Sequence, residues 1–221
     1  MSKPKVTAPL LGVCVLMLAA CGAGQPDLAD ADIANVSGVE DSFGAPFTVS
    51  TVGPAAVDPS VLTPQSLPPG LTFDPPECGE TANEQAVPSD VKGNMAATTA
   101  EGEGVRYIVI AVETSAPVPV DSPGEQCQKV TFSGAGIRGL VEVVEAPQID
   151  GVHTVGTRRV LQTGTGDTAR TGELFNYVAN FGNFIVIVTA NPMVIPDEPV
   201  ARVDTQRARD LVTQAVELVR G

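Results

Sequence analysis

Seven residues between two apolar stretches carry the spacing of a nucleotide-binding turn. Residues 133–139 read SGAGIRG and contain G-x-G-x-x-G after the apolar run KVTF. Such a turn binds a pyrophosphate only when a crossover helix follows it. Here the next residues, LVEVVEA, are rich in valine and end at Pro147, which predicts a strand rather than a helix. We therefore predict a glycine-rich connection between two antiparallel strands and no nucleotide or other cofactor.

The side chains that could perform catalysis do not form a recognisable set. His153 is the only histidine, and a G-x-S-x-G nucleophile motif is absent from the sequence. Arg158 and Arg159 are neighbours on a predicted strand, so they point to opposite faces; one of them could bind an anion, or both could be solvated. No acidic pair or set of metal ligands stands out by its spacing. We predict a non-enzymatic protein without catalytic residues or a metal site. The alternatives are a hydrolase using scattered carboxylates or Ser/Thr, and a purely structural interaction module.

Four aromatic residues near one predicted turn are candidates for an apolar binding pocket. Phe175, Tyr177 and Phe181 share one face of a strand, and Phe184 lies just across the turn. They could line a pocket for a lipid or a small apolar ligand. Packing of a hydrophobic core under a C-terminal helix is the alternative, and a pocket and a core can share residues.

The N-terminus has the pattern of an export signal. Lys3 and Lys5 precede an apolar run at residues 8–20, which is too short to cross a bilayer core of about 20 residues. The run ends in Leu-Ala-Ala-Cys at residues 18–21, which resembles the lipobox of bacterial lipoproteins. That resemblance implies cleavage before Cys21 and attachment of lipid to its thiol. A lipid anchor on the extracytoplasmic face of the cell membrane is therefore expected.

Two further cysteines remain in the exported chain. Cys14 would leave with the signal, and Cys21 would carry the lipid, so Cys78 and Cys127 are left as one pair. In an oxidising compartment we predict a disulfide between them, with two free thiols as the alternative.

Charge and composition limit the classes of binding partner that are expected. The chain carries a net charge of −13 and has no tryptophan. Binding to nucleic acid is not expected, because phosphates attract a positively charged surface. The length suits one folded domain with a substantial core.

The order of the local patterns predicts an α+β fold. Extended segments rich in β-branched residues recur at 46–52, 105–114, 129–132, 140–146, 153–163, 173–181 and 184–191. Gly182-Asn183 joins the last two segments and is a hairpin signal. After Asp204, an apolar stripe from Ala208 to Val219 predicts an amphipathic helix. We predict a mostly antiparallel sheet with this C-terminal helix packed on one face, and one short helix before Pro88.

The predicted organisation has three parts. Residues 1–20 are a lipoprotein signal peptide, residues 21–45 an acidic tether, and residues 46–221 the folded domain.

Three segments of the chain resemble a known group of proteins. LPPGLTFDPPEC at 67–78, KGNMAATTAEGEG at 92–104 and RYIVIAVETS at 106–115 look similar to a family of mycobacterial or related actinobacterial cell-envelope lipoproteins with a domain of unknown function. A looser likeness links the chain to the extracellular sensor domains of mycobacterial serine/threonine kinases. Neither resemblance implies a catalytic residue. Both fit a lipid-anchored envelope protein that binds an apolar ligand or an envelope protein partner.

Overall fold

A computed structural model describes residues 28–57, 67–83, 92–118, 122–134, 136–166 and 169–221. Within these ranges, no helix combines the length and the apolar character needed to cross a membrane. Cys21 and the predicted signal peptide lie outside the described residues.

The described chain forms nine strands and a few helices. The strands are β1 (Thr48–Ala56), β2 (Thr72–Asp74), β3 (Gly93–Gly102), β4 (Val105–Thr114), β5 (Lys129–Gly134), β6 (Ile137–Val144), β7 (His153–Thr163), β8 (Arg170–Phe181) and β9 (Phe184–Pro192). The helices are α1 (Gly79–Asn83) and α2 (Thr205–Arg220), with 3-10 helices η1 (Ile33–Ser42), η2 (Pro76–Cys78) and η3 (Glu125–Cys127).

All nine strands join one antiparallel sheet in the order β1-β3-β4-β9-β8-β7-β6-β5-β2. The prediction of a mostly antiparallel sheet with a C-terminal helix is confirmed, and the strands predicted at 105–114 and 153–163 have those bounds in the structure. Strands β2 and β3 were not predicted. The sequence of β3, GNMAATTAEG, is rich in alanine and glycine, which have little intrinsic preference for strands.

Helix α2 covers part of one face of the sheet. The Asp204 side chain accepts a hydrogen bond from the backbone N–H of Arg207 at 3.0 Å and so caps the helix. The apolar stripe of α2 is fully buried against strands β4, β8 and β9. Burying such a stripe supplies most of the stability of a helix of this length.

The predicted tether is partly wrong, because its second half belongs to the folded domain. Helix η1 buries Ile33, Val36 and Val39, which are at most 3% exposed. These residues recur every third position and therefore share one face of a 3-10 helix. Asp32 ties the segment to α2, because its backbone N–H donates to the carbonyl of Val219 at 2.9 Å. The folded domain thus begins well before residue 46.

The two faces of the sheet are packed differently. On the face that we call the helix face, α2 and η1 contact strands β1, β3, β4, β8 and β9. The opposite face, which we call the disulfide face, holds two further apolar clusters, one around Ile110 and Ile187 and one around Cys78, Cys127 and Phe132. Helix η1 packs over β1, β3 and β4, and α2 packs over β4, β9 and β8, so the main contacts of these two helices do not extend to β7, β6, β5 and β2 at the other end of the sheet.

Candidate functional site

The candidate site lies on the helix face beyond the end of helix α2, and we call it the open face. It consists of the side chains of β2, β5, β6 and β7, with the start of β8, that point to the same side as α2. Pairing fixes this assignment, because residues directly opposite in neighbouring strands share a face. For example, Arg158 of β7 pairs with Phe175 of β8 and with Glu142 of β6.

The glycine motif forms the turn that leads into this face. Gly134 ends β5 and pairs with Ile137 at the start of β6. Gly134 and Gly136 have φ angles of 144° and 78°, which a residue with a Cβ rarely adopts. The predicted connection between two antiparallel strands is confirmed. Arg138, inside the same motif, is thereby placed on the open face.

Polar side chains cross five strands in one row, which we call the polar row. Each member is the pairing partner of the next, and the row spans about 19 Å at the usual strand spacing. It runs Thr72, Ser133, Arg138, Gln162, Thr171. An elongated polar ligand lying across the strands would meet a hydroxyl, amide or guanidinium group at every strand.

A second row lies beside the first, and each of its members is two residues away from the polar-row residue on the same strand. It runs Asp74, Thr131, Leu140, Val160, Glu173. At its centre, Leu140 and Val160 are half-buried. Nine of these ten residues, all except Glu173, line a concave, solvent-open cavity of about 520 Å³, together with Phe73, Phe132 and Gly139. Its lining therefore combines polar groups along one side with an apolar patch beside them.

The hydrogen bonds of the polar row leave donors of Arg138 available. Its Nε donates to Oε1 of Gln162. Gln162 Nε2 in turn donates to Thr171 Oγ1 at 3.5 Å. Within the described part of the chain, Arg138 makes no ion pair with a carboxylate. Arg138 lines the cavity, and its two terminal nitrogens have no carboxylate partner among the described residues.

Arg158 borders the cavity but is fully engaged. Its Nη1 lies 2.7 Å from Oε1 of Glu142, and its Nε contacts a carboxylate oxygen of Glu173. These hydrogen bonds, with Glu142 as the larger cause, raise the pKa of Arg158 above its usual range. Its guanidinium also lies 6.0 Å from the centre of the Phe175 ring. Arg158 is thus neither an open anion site nor simply solvated.

Arg159 points to the disulfide face, which confirms that the two neighbouring arginines face opposite ways. Burial beneath α1 lowers the pKa of its guanidinium. Its Nη2 donates to the carbonyl of Ala82 at 3.5 Å. It lines a small cavity of about 50 Å³ together with Thr157 and Asn176. Such a volume holds a water molecule or two but no organic ligand.

The four aromatic residues predicted as pocket candidates lie in the main hydrophobic core. Tyr177, Phe181 and Phe184 are at most 7% exposed, and Phe175 packs against the same cluster under α2 and η1. The rings of Phe181 and Phe184 stack at 5.7 Å. These residues therefore pack in the hydrophobic core, which was the alternative to a binding pocket. The cavity of the open face is lined by other residues.

The disulfide is confirmed, and the single histidine has one polar contact. Cys78 and Cys127 are bonded, with their Cα atoms 5.5 Å apart. The exposed His153 has its Nε2 2.9 Å from Oγ of Ser122. In the described ranges, no three His, Cys, Asp or Glu side chains are grouped closely enough to hold a metal ion.

The residues of the open face do not stand out as a site in the sequence, although one signal is present. Alternation in β5 separates Thr131 and Ser133 from the buried Val130 and Phe132. That parity indicates which residues share a face. It does not indicate that β2 would pair with β5 and bring Thr72 to the end of the row.

Comparison with known proteins places the chain in a family. A family model described as a domain of unknown function, DUF5642, matches residues 32–220. No curated protein matches the chain. A solved structure of an uncharacterised protein from Mycobacterium smegmatis (Rv0999 ortholog) is 56% identical with a TM-score of 0.83, covering 88% of this chain and 100% of that one.

A second solved structure shows a weaker likeness. The extracellular domain of PknH from Mycobacterium tuberculosis is 11% identical with a TM-score of 0.35, covering 89% of this chain and 100% of that one. The family match begins at Asp32, the residue that caps helix η1, so the matched region coincides with the folded domain. The chain belongs to the DUF5642 family of domains of unknown function, and the family resemblance expected from its sequence is confirmed.

Proposed function

We propose that this protein is a non-enzymatic, lipid-anchored protein of the cell envelope that binds a ligand on its open face. The observation that carries the proposal is the cavity of about 520 Å³ lined by the polar row and by Leu140 and Val160. Its size lies within the usual range of ligand sites, about 300–1,000 Å³. Its mixture of an apolar patch with a few convergent polar groups is also typical of such sites.

The apolar patch supports binding rather than a purely structural role. The water-facing side of an antiparallel sheet normally carries polar residues. Leu140 and Val160 depart from that pattern at the centre of the cavity, where helix α2 does not reach them. An apolar contact from a ligand would remove their side chains from water, which is favourable by about 25 cal/mol per Å².

The proposed location, anchored at the cell membrane outside the cytoplasm, rests on the N-terminal sequence pattern and on the cysteines. Cys21 within Leu-Ala-Ala-Cys is the proposed lipid attachment point and the contact with the membrane. The disulfide between Cys78 and Cys127 supports the same assignment, because such bonds persist in oxidising compartments outside the cytoplasm. We expect Cys21→Ala to move the protein from the membrane fraction into the culture medium of an actinobacterial host. Unchanged membrane association of this variant would contradict the anchor.

Native mass spectrometry of residues 22–221, secreted from the same host, tests the binding proposal. We expect an added mass that denaturation releases. Thr131→Tyr should remove that mass, because the exposed Thr131 lines the cavity beside Leu140 and a larger side chain would fill the space. Thr51→Tyr is the matched control, since Thr51 is an exposed threonine on the distant strand β1. A bare protein mass would contradict ligand binding and favour a module that binds an envelope protein.

The non-enzymatic part of the proposal has its own test. The contact between Ser122 and His153 is the one arrangement among the described residues that resembles a nucleophile with its base. We expect the wild-type domain to be inactive against ester, amide and glycoside substrates. Turnover that disappears in His153→Ala would show that the protein is an enzyme.

A further inference from the structure

We infer that the ligand of the open face is an anionic amphiphile, whose phosphate or carboxylate binds Arg138 and whose apolar part lies on Leu140 and Val160. The inference rests on the proposed function, because it names the chemical class of ligand for the same cavity.

Arg138 supplies the anion site. Its Nε is occupied by Gln162, which fixes the side chain across the polar row. The terminal nitrogens remain, and a guanidinium group matches two oxygens of one carboxylate or phosphate. Ser133, directly opposite Arg138 on β5, adds an exposed hydroxyl that can donate to the same anion.

The carboxylates near the cavity do not neutralise Arg138, although the chain as a whole has a net charge of −13. The carboxylates of Glu142 and Glu173 are both paired with Arg158. Asp74 lies two strands away and in the neighbouring row, which places it about 10 Å or more from Arg138. Its repulsion of a bound anion is therefore much weaker than the attraction of a guanidinium in contact.

The apolar patch is next to the anion site. Leu140 follows Arg138 by two residues on β6, so the two side chains are about 7 Å apart on the same face. Val160 is the pairing partner of Leu140 and widens the patch. A ligand that touches both parts must carry its negative charge next to a hydrocarbon segment. That requirement describes an amphiphile and excludes a free inorganic anion or a purely apolar molecule as the best fit.

Calorimetric titration of residues 22–221 tests the inference. This region contains the whole described fold, and the crystallised Mycobacterium smegmatis relative corresponds to 88% of the chain. The probes are dihexanoyl-phosphatidylglycerol and dihexanoyl-phosphatidylcholine as monomers, decanoate, and inorganic phosphate. We expect phosphatidylglycerol, decanoate or both to bind at least about tenfold more tightly than phosphatidylcholine and inorganic phosphate. Binding of phosphatidylglycerol alone would identify a phospholipid headgroup, and binding of decanoate alone a fatty-acid carboxylate.

Two variants distinguish the effect of the Arg138 charge on ligand binding from an effect on folding. Arg138→Gln should weaken binding about 10- to 100-fold, the usual effect of losing a hydrogen-bonded charge. Arg106→Gln is the matched control, because Arg106 is an exposed strand arginine outside the cavity that pairs with Glu101 at 2.6 Å. Thermal unfolding of both variants should agree with wild type within a few degrees. Arg138→Lys, which keeps the charge, provides a second reading if Arg138→Gln folds poorly, and should bind more weakly than wild type.

Several results would overturn the inference. Equal binding of phosphatidylglycerol and phosphatidylcholine would show that the site does not select a net negative charge. Equal affinities of Arg138→Gln and Arg106→Gln would show that Arg138 does not bind the charged group. Inorganic phosphate that binds as tightly as the amphiphiles would show a simple anion site. If no probe binds but a mass released from the native domain is still lost in Thr131→Tyr, the ligand class is wrong and the proposed function stands. If no probe binds and no mass is found, both fail.

Discussion

Removing the disulfide tests how much the packing on the disulfide face stabilises the strands that carry the open face. The bond joins residues 49 positions apart, and the loop it closes contains strands β3 and β4. In the chain-entropy model, a loop of about 50 residues lowers the entropy of the unfolded chain by about 14 cal/mol/K. That corresponds to about 4 kcal/mol at 25 °C, so reduction should lower the free energy of unfolding by roughly this amount.

The position of the bond connects this stability to the site. Both cysteines pack with Val130 and Phe132 of β5. These two residues alternate with Thr131 and Ser133, which line the cavity on the other face of the strand. Loss of the bond should therefore loosen β5 and weaken ligand binding, as well as lowering global stability.

Urea unfolding of five samples measures the effect. They are the oxidised wild type, the reduced wild type, Cys78→Ala, Cys127→Ala and the double variant. The reduced wild type keeps the volume of both cysteine side chains. The difference in the free energy of unfolding between the oxidised and reduced forms therefore measures the contribution of the bond alone. We expect each single variant to cost about as much as reduction, or somewhat more because both sites are buried, and the double variant to cost little beyond either. Oxidised and reduced forms within about 1 kcal/mol of each other, or single costs that add in the double variant, would refute this reasoning.

Three further outcomes are expected. Gly139→Ala should destabilise the domain by about 3 kcal/mol in urea unfolding, because the added methyl group would collide with the backbone oxygen of Val160; wild-type stability would contradict the register of β6 and β7. Asp204→Ala should cost about 1 kcal/mol by thermal unfolding, since it removes the cap on the N–H of Arg207, whereas Asp204→Asn should retain most of the stability. Burial raises the pKa of Tyr177, so the folded state keeps the phenol protonated above pH 10, and the free energy of unfolding should fall as the pH rises beyond the ordinary tyrosine pKa. Absorbance at 295 nm reports the ionisation of the phenol, and Tyr177→Phe should make the free energy of unfolding less dependent on pH in this range.

Local patterns were sufficient to predict most elements of the fold. Alternation and β-branched residues predicted the strands from Val105 onward, and Asp204 with its following stripe predicted α2. The paired cysteines predicted the disulfide. Each of these features depends on residues close together in the chain, or on the chemistry of one residue type.

Features that depend on distant pairing were not predictable in this way. Strand β3 forms between β1 and β4 although its own alanines and glycines favour no strand, because its neighbours supply both ladders of hydrogen bonds. Residues 22–44 are small and acidic, with glycines at the start, and this composition predicts a tether. Only the core beneath η1 gives Ile33 and Val36 a place to pack. The polar row needs the pairing of Thr72 with Ser133, which no local pattern encodes.

Hydrogen–deuterium exchange tests the central claim, ligand binding on the open face, most directly. The domain as secreted is compared with the same domain after its ligand has been removed by denaturation and refolding. We expect slower exchange in the as-secreted form for the amides of β5, β6 and β7, with little change in η1 and α2. Protection confined to η1 and α2, or identical exchange in the two samples, would contradict the claim.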